Sequence, residues 1–127
     1  MDLKGTFKII SWQESIEMDL VNGTKISRAD VRQSYTGGLS GSSELTYQLF
    51  YDTKGNAEFV GFEIISLDTS NELGVIVLQH NGCFKNGIAT SKFTVVESSH
   101  DKSLIGHEGF FRSKEDGQAD YQIKGPC

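Results

Sequence analysis

The chain has 127 residues, 37% hydrophobic and 23% charged, enough to bury one sizeable core but hardly two. Its net charge of −5 argues against nucleic acid or an anionic membrane as the main partner, and no run approaches the ~20 apolar residues of a membrane span. The start, Met1-Asp2-Leu3-Lys4-Gly5, lacks a signal peptide's apolar segment, so a cytoplasmic location and two free thiols, Cys83 and Cys127, are expected.

Fourteen glycines against one proline point to many tight turns. In Ser15–Leu20, Ile16, Met18 and Leu20 alternate with polar residues; a helix over Gln13–Leu20 is the weaker reading, because Met18 fits only the period of two. Asn22-Gly23 is the first turn. From Lys25 to Tyr35, Ala29, Val31 and Tyr35 share one face and Arg28, Asp30 and Arg32 the other. After the turn Thr36–Gly41, Leu45, Tyr47, Leu49 and Tyr51 stand opposite Glu44, Thr46, Gln48 and Phe50.

The turn Asp52–Asn56 precedes Phe59–Ile65, and Leu67–Asn71 precedes Leu73–Leu78. Both runs are nearly continuous in apolar residues, so cover on both faces is expected, from a ligand, a partner chain or a barrel interior. Further breaks fall at Lys85–Gly87, Ser98–Ser103 and Lys114–Gly117. Phe110 and Phe111 are adjacent and cannot both face one core. These breaks separate eight short strands in a single domain over residues 1–127. A closed eight-stranded antiparallel up-and-down barrel hides their edges; a two-sheet sandwich is the alternative.

Signatures of strong chemistry are absent: no GxSxG, P-loop, HExxH or CxxC occurs, and no cofactor or metal is implied. His100 reads as a loop residue and His107 as a strand-edge residue, neither in a metal-ligand spacing. Cys83 reads as a small buried side chain. Two polar residues interrupt apolar strands, Glu63 and His80. A carboxylate there is either outward, paired, or held in a cavity with a raised pKa suited to acid–base work. His80 is either satisfied by backbone at a strand end or the partner of Glu63. Gly61 shares a face with Glu63 and marks a bulge or a close approach to the backbone. Glu44 faces inward beside Glu63 or lies on the wet face with Thr46 and Gln48; Tyr35, Tyr47 and Tyr51 are core bodies with polar tips.

Gly5–Glu14, Ser27–Val31, Tyr35-Thr36-Gly37, Leu39-Ser40-Gly41, Phe59–Glu63 and Val77–Phe84 together resemble the bacterial domain-of-unknown-function family 3224 over most of the chain. The resemblance implies an eight-stranded antiparallel barrel of lipocalin-like shape, similar to allene oxide cyclase and dirigent proteins. It makes Glu63 and His80 family-motif positions without roles. Ser98–Ser103 replaces a glycine-rich turn of that family, while Leu104-Ile105-Gly106 is kept.

The preferred expectation is a barrel binding a small, largely apolar molecule in its interior. Glu63, His80, Tyr47 and Gln79 would orient it, with Glu44, Gly61 and Tyr35 as further contacts. An isomerase or cyclase with Glu63 as acid/base and His80 as its partner is the alternative. Both require an internal cavity of roughly 300 Å³ or more. The third reading is a filled barrel for assembly as a homodimer or other homo-oligomer, with Phe110 or Phe111 at the contact.

Overall fold

The structure, a computed structural model, describes residues 3–68 and 73–125. Its strands are β1 (Leu3–Asp19), β2 (Lys25–Gly37), β3 (Gly41–Tyr51), β4 (Ala57–Asp68), β5 (Leu73–Lys85), β6 (Ile88–Ser98), β7 (Glu108–Ser113) and β8 (Gln118–Lys124). Each pairs antiparallel with the next, and β8 pairs with β1, closing one up-and-down barrel rather than a sandwich. Among the described residues, two short 3₁₀ turns are the only helical elements between the strands, and no helix is long and apolar enough to cross a membrane.

The hairpins follow from the turn chemistry. Asn22-Gly23, Asn86-Gly87 and Asp116-Gly117 each place both residues at positive φ, the geometry that matches the right-handed twist of the flanking strands. The turn expected at Leu67–Asn71 falls partly outside the described residues, and so does Cys127.

Strict alternation then fills the interior. Ala29, Val31 and Tyr35 from β2, Leu45, Tyr47 and Leu49 from β3, and Phe59 and Ile65 from β4 all join one core. Leu39 and Leu104, from the connections after β2 and β6, complete the packing at that end of the barrel. Tyr121 fixes the β2–β3 connection: its hydroxyl accepts from the Leu39 N–H at 2.8 Å and donates to the Thr36 carbonyl at 2.9 Å.

Two expectations about facing do not hold. Ile16, Met18 and Leu20 are exposed, because β8 covers β1 only from Leu3 to Lys8 and the rest of β1 overruns it. A register shift between Ile9 and Ser11 also moves the inward series, so that Phe7 and Ile9 before it, but Trp12 and Glu14 after it, face the lumen. Likewise, β4 is covered on one face only: Val60, Phe62 and Ile64 point outward, Phe62 being 57% exposed. Cys83 also sits half-buried rather than buried, its thiol 3.5 Å from the Thr90 hydroxyl.

At Gly61, β4 leaves no room for a side chain against β3. A Cβ there would collide with the Thr46 carbonyl oxygen and lie 3.2 Å from the Tyr47 Cα. These are backbone atoms and cannot swing away. Gly61→Ala is expected to destabilise the barrel by about 1–3 kcal/mol, the usual cost of overpacking, read as a lower urea midpoint; an unchanged midpoint would contradict this close approach.

Candidate functional site

Midway along the lumen, four strands contribute polar side chains to one buried cluster. Glu63 on β4 is 1% exposed and His80 on β5 is 2% exposed. Their contact follows from the register, which sets Glu63 opposite Leu78 and so places His80 two residues along on the same face. Glu63 Oε1 lies 2.7 Å from His80 Nε2, and Oε2 accepts from the Tyr35 hydroxyl at 2.6 Å. On the far side of the imidazole, Nδ1 lies 2.9 Å from Ser91 Oγ, whose hydroxyl donates to the Lys92 carbonyl at 3.1 Å. The polar groups of the cluster thus partner one another.

Electrostatics follows from burial. Removal from water raises the Tyr35 phenol well above the usual value, and the Glu63 carboxylate raises it further. Tyr47 is raised for the same two reasons in the same order. Both tyrosines are therefore held as neutral phenols. Tyr35 is a hydrogen-bond donor to a fixed acceptor, which is a different task from donating to a ligand.

An apolar cavity lies toward the end carrying the β3–β4, β5–β6 and β7–β8 connections. It has a volume of about 280 Å³. Phe7, Trp12, Tyr47, Phe59, Phe84 and Phe111 supply aromatic walls. Glu63, His80 and Tyr35 do not line it. His80 packs edge-on behind two of its walls, with ring centroids 5.9 Å from Tyr47 and 5.6 Å from Phe111. The charged rim is already engaged: Glu14 accepts from Trp12 Nε1 at 2.9 Å and from the Tyr51 hydroxyl at 2.7 Å, while Lys114 pairs with Asp120 at 2.9 Å.

The residues singled out in the sequence therefore divide. Glu63, His80 and Tyr35 come together in the buried cluster, and Tyr47 lies between that cluster and the cavity. Glu44 and Gln79 do not join them. Both are exposed on the outer surface, Glu44 against Arg32 at 3.2 Å, because each is one residue out of phase with its strand's inward series. Gly61 is approached closely, as expected, but by the β3 backbone. Phe111 is inside and Phe110 outside. His100 lies exposed in the β6–β7 connection, and His107 is buried just before β7 with its Nδ1 unpartnered. Among the described residues no group of three or more His, Cys, Asp or Glu side chains could hold a metal ion.

Sequence reasoning missed two members. Ser91 has no signal of its own, since only the β5–β6 register brings it to His80. Gln33 did carry one: it stands between Val31 and Tyr35 in the inward series of β2, and it lines the cavity.

A family model described as a protein of unknown function (DUF3224) matches residues 3–124. A crystal structure from that family, a protein with unknown function from Shewanella oneidensis MR-1, is similar at 25% identity with a TM-score of 0.68. The likeness covers 97% of this chain and 93% of that one. No curated protein matches the sequence.

Proposed function

The chain belongs to the DUF3224 family of proteins of unknown function, and we propose that it acts by binding a small, largely apolar molecule in the open end of its barrel. The observation that carries this reading is the cavity of about 280 Å³ with its aromatic walls. Its size lies at the lower edge of ordinary ligand sites, ~300–1,000 Å³. A cavity of ~150 Å³ with apolar walls already holds benzene, so nearly twice that volume suits two fused rings. Eight strands are also the number at which a barrel can keep room for one small ligand.

Catalysis by Glu63 with His80 has less support. Neither group lines the cavity, and each oxygen of Glu63 is already engaged in a short hydrogen bond. A base must reach the proton it removes, whereas this pair lies behind Tyr47 and Phe111. Assembly through an outward face draws on Val60, Phe62 and Ile64 rather than on Phe111.

Native mass spectrometry of protein taken directly from cells tests the binding reading. The wild-type chain is expected to retain a small-molecule adduct, and Ala89→Phe, which fills the cavity from its wall, to lose it. In titration with indene, an apolar two-ring hydrocarbon, the same variant is expected to weaken binding about tenfold or more, as loss of a bound hydrocarbon's contacts would. No adduct together with no saturable indene binding to the wild type would overturn the proposal.

A further inference from the structure

Closure of the barrel leaves one long stretch of strand edge open. On one side, β1 pairs with β2 from Gly5 to Asp19. On the other, β8 accompanies it only from Leu3 to Lys8, and the Ile9 N–H reaches the Gly117 carbonyl at 2.8 Å. From Ser11 to Asp19, no described strand meets this second edge of β1. Alternate residues there turn a backbone N–H and C=O outward without a partner among the described residues. Register shifts at Ile9/Ser11 and Ile16/Met18 bound a regular middle piece, Ser11–Ile16.

The side chains along this edge define what fits it. Ser11–Asp19 holds three carboxylates, Glu14, Glu17 and Asp19, and no lysine or arginine. Among the described residues none of the three is in an ion pair; Glu14 accepts only from the neutral Trp12 and Tyr51 donors. The cations opposite this stretch on β2 are engaged elsewhere: Arg32 with Glu44 at 3.2 Å, Arg28 with Asp30 at 3.3 Å, and Lys25 over the Tyr51 ring at 4.9 Å. A second copy of the chain is the wrong partner, because pairing two such edges lines the carboxylates of both along one seam. A strand with lysine or arginine at alternating positions meets the same edge with attraction. Trp12 and Ile16, 42% and 53% exposed, flank Glu14 on the lumen side, and apolar residues opposite them in an added strand cover both.

We propose that the open edge of β1 docks an extended, basic segment of another protein, which adds as a strand beside Ser11–Ile16. Backbone hydrogen bonds along the edge supply affinity, and the alternation of basic and apolar side chains supplies selection. The inference goes beyond the ligand-binding reading and does not depend on it. Its seam is backbone, and two of its three carboxylates, Glu17 and Asp19, do not line the cavity.

The probe is the acetylated, amidated peptide KTVTKTVTK, a palindrome that fits the edge in either direction. Trp12, the chain's one tryptophan, reports on the seam. Titration of the full chain at low salt is expected to shift Trp12 emission saturably, and the acidic counterpart ETVTETVTE to bind about tenfold or more weakly. Two further copies of the basic peptide carry backbone N-methyl groups, one at its odd positions and one at its even. One is expected to lose binding and the other to keep it, because an added strand turns one edge to β1 and the other to water. The exposed double variant Glu17→Lys/Asp19→Lys is expected to weaken the basic peptide about fivefold. Equal binding of the basic and acidic peptides, the same result for both methylated peptides, undiminished binding by the double variant, or no saturable shift would overturn the proposal. So would protection of the Ser11–Ile16 amides from exchange that rises with protein concentration in the absence of peptide, which would give the edge to a second copy.

Discussion

Glu63→Ala is expected to cost the barrel about 3–5 kcal/mol of stability, the usual penalty for breaking a buried charged or hydrogen-bonded pair from one side. Set against total stabilities of ~5–15 kcal/mol for natural domains, this is the largest single effect anticipated for the molecule. Glu63 accepts from Tyr35 at 2.6 Å and lies 2.7 Å from His80 Nε2, so its removal leaves two polar groups unpaired where water cannot reach. Tyr35 comes from β2, Glu63 from β4, His80 from β5 and Ser91 from β6, and the loss is therefore felt across half the ring of strands. The double variant Glu63→Leu/His80→Phe is expected to recover much of it, since replacing both partners with apolar groups of similar shape leaves fewer unpaired atoms. Urea denaturation of the two variants checks this. A single variant within about 1 kcal/mol of wild type would show that the cluster does not hold the strands together. Glu63→Gln is expected to leave the affinity for indene unchanged within about twofold, because Glu63 does not line the cavity.

The same residues show how far a sequence of this kind can be read. Asn22-Gly23, Asn86-Gly87 and Asp116-Gly117 mark hairpins by local chemistry alone, and the alternation around Leu45–Tyr51 orients β3 without help from any neighbour. Alternation also carries a warning: Gln79 and His80 are consecutive, so a strand cannot aim both into one lumen. His80 is inside and Gln79 outside. The joining of Glu63 to His80, and of His80 to Ser91, depends on cross-strand register, which is fixed by the closed ring as a whole and leaves no mark in either strand separately. The facing of β1 was illegible for a different reason. Its shift at Ile9/Ser11 reverses the inward series within one strand, and the short β8 leaves the far half of β1 uncovered. The cavity is the sum of these features. Trp12 and Glu14 reach it only after the shift, and Gln33 reaches it as a polar member of the inward face of β2.

Raising the pH beyond about 10 is expected to unfold the barrel, with the buried tyrosines as the cause. Tyr35 and Tyr47 both keep their protons well above the ordinary phenol value of 10.0, first because they are buried and then because the Glu63 carboxylate opposes a second negative charge. In the unfolded chain both lose their protons near that ordinary value. Below it neither state has ionised these groups, and their contribution to stability is fully present. Above it the unfolded chain holds fewer protons than the folded one, so stability falls as pH rises until the folded-state values are reached. Each tyrosine contributes a slope of about 1.4 kcal/mol per pH unit, and the two together about 2.7 kcal/mol. At that rate a domain of ordinary stability is lost within a few pH units. Tyrosinate absorbance and the backbone dichroism should therefore change together, in one cooperative step, rather than absorbance first. Tyr47→Phe is the cleaner variant, since Tyr35 also anchors Glu63 through its hydroxyl. It is expected to halve the slope assigned to the pair and move the alkaline midpoint upward. Native-state ionisation of both phenols near the ordinary value, ahead of any loss of strand signal, would mean that neither is sealed from water as the barrel places it.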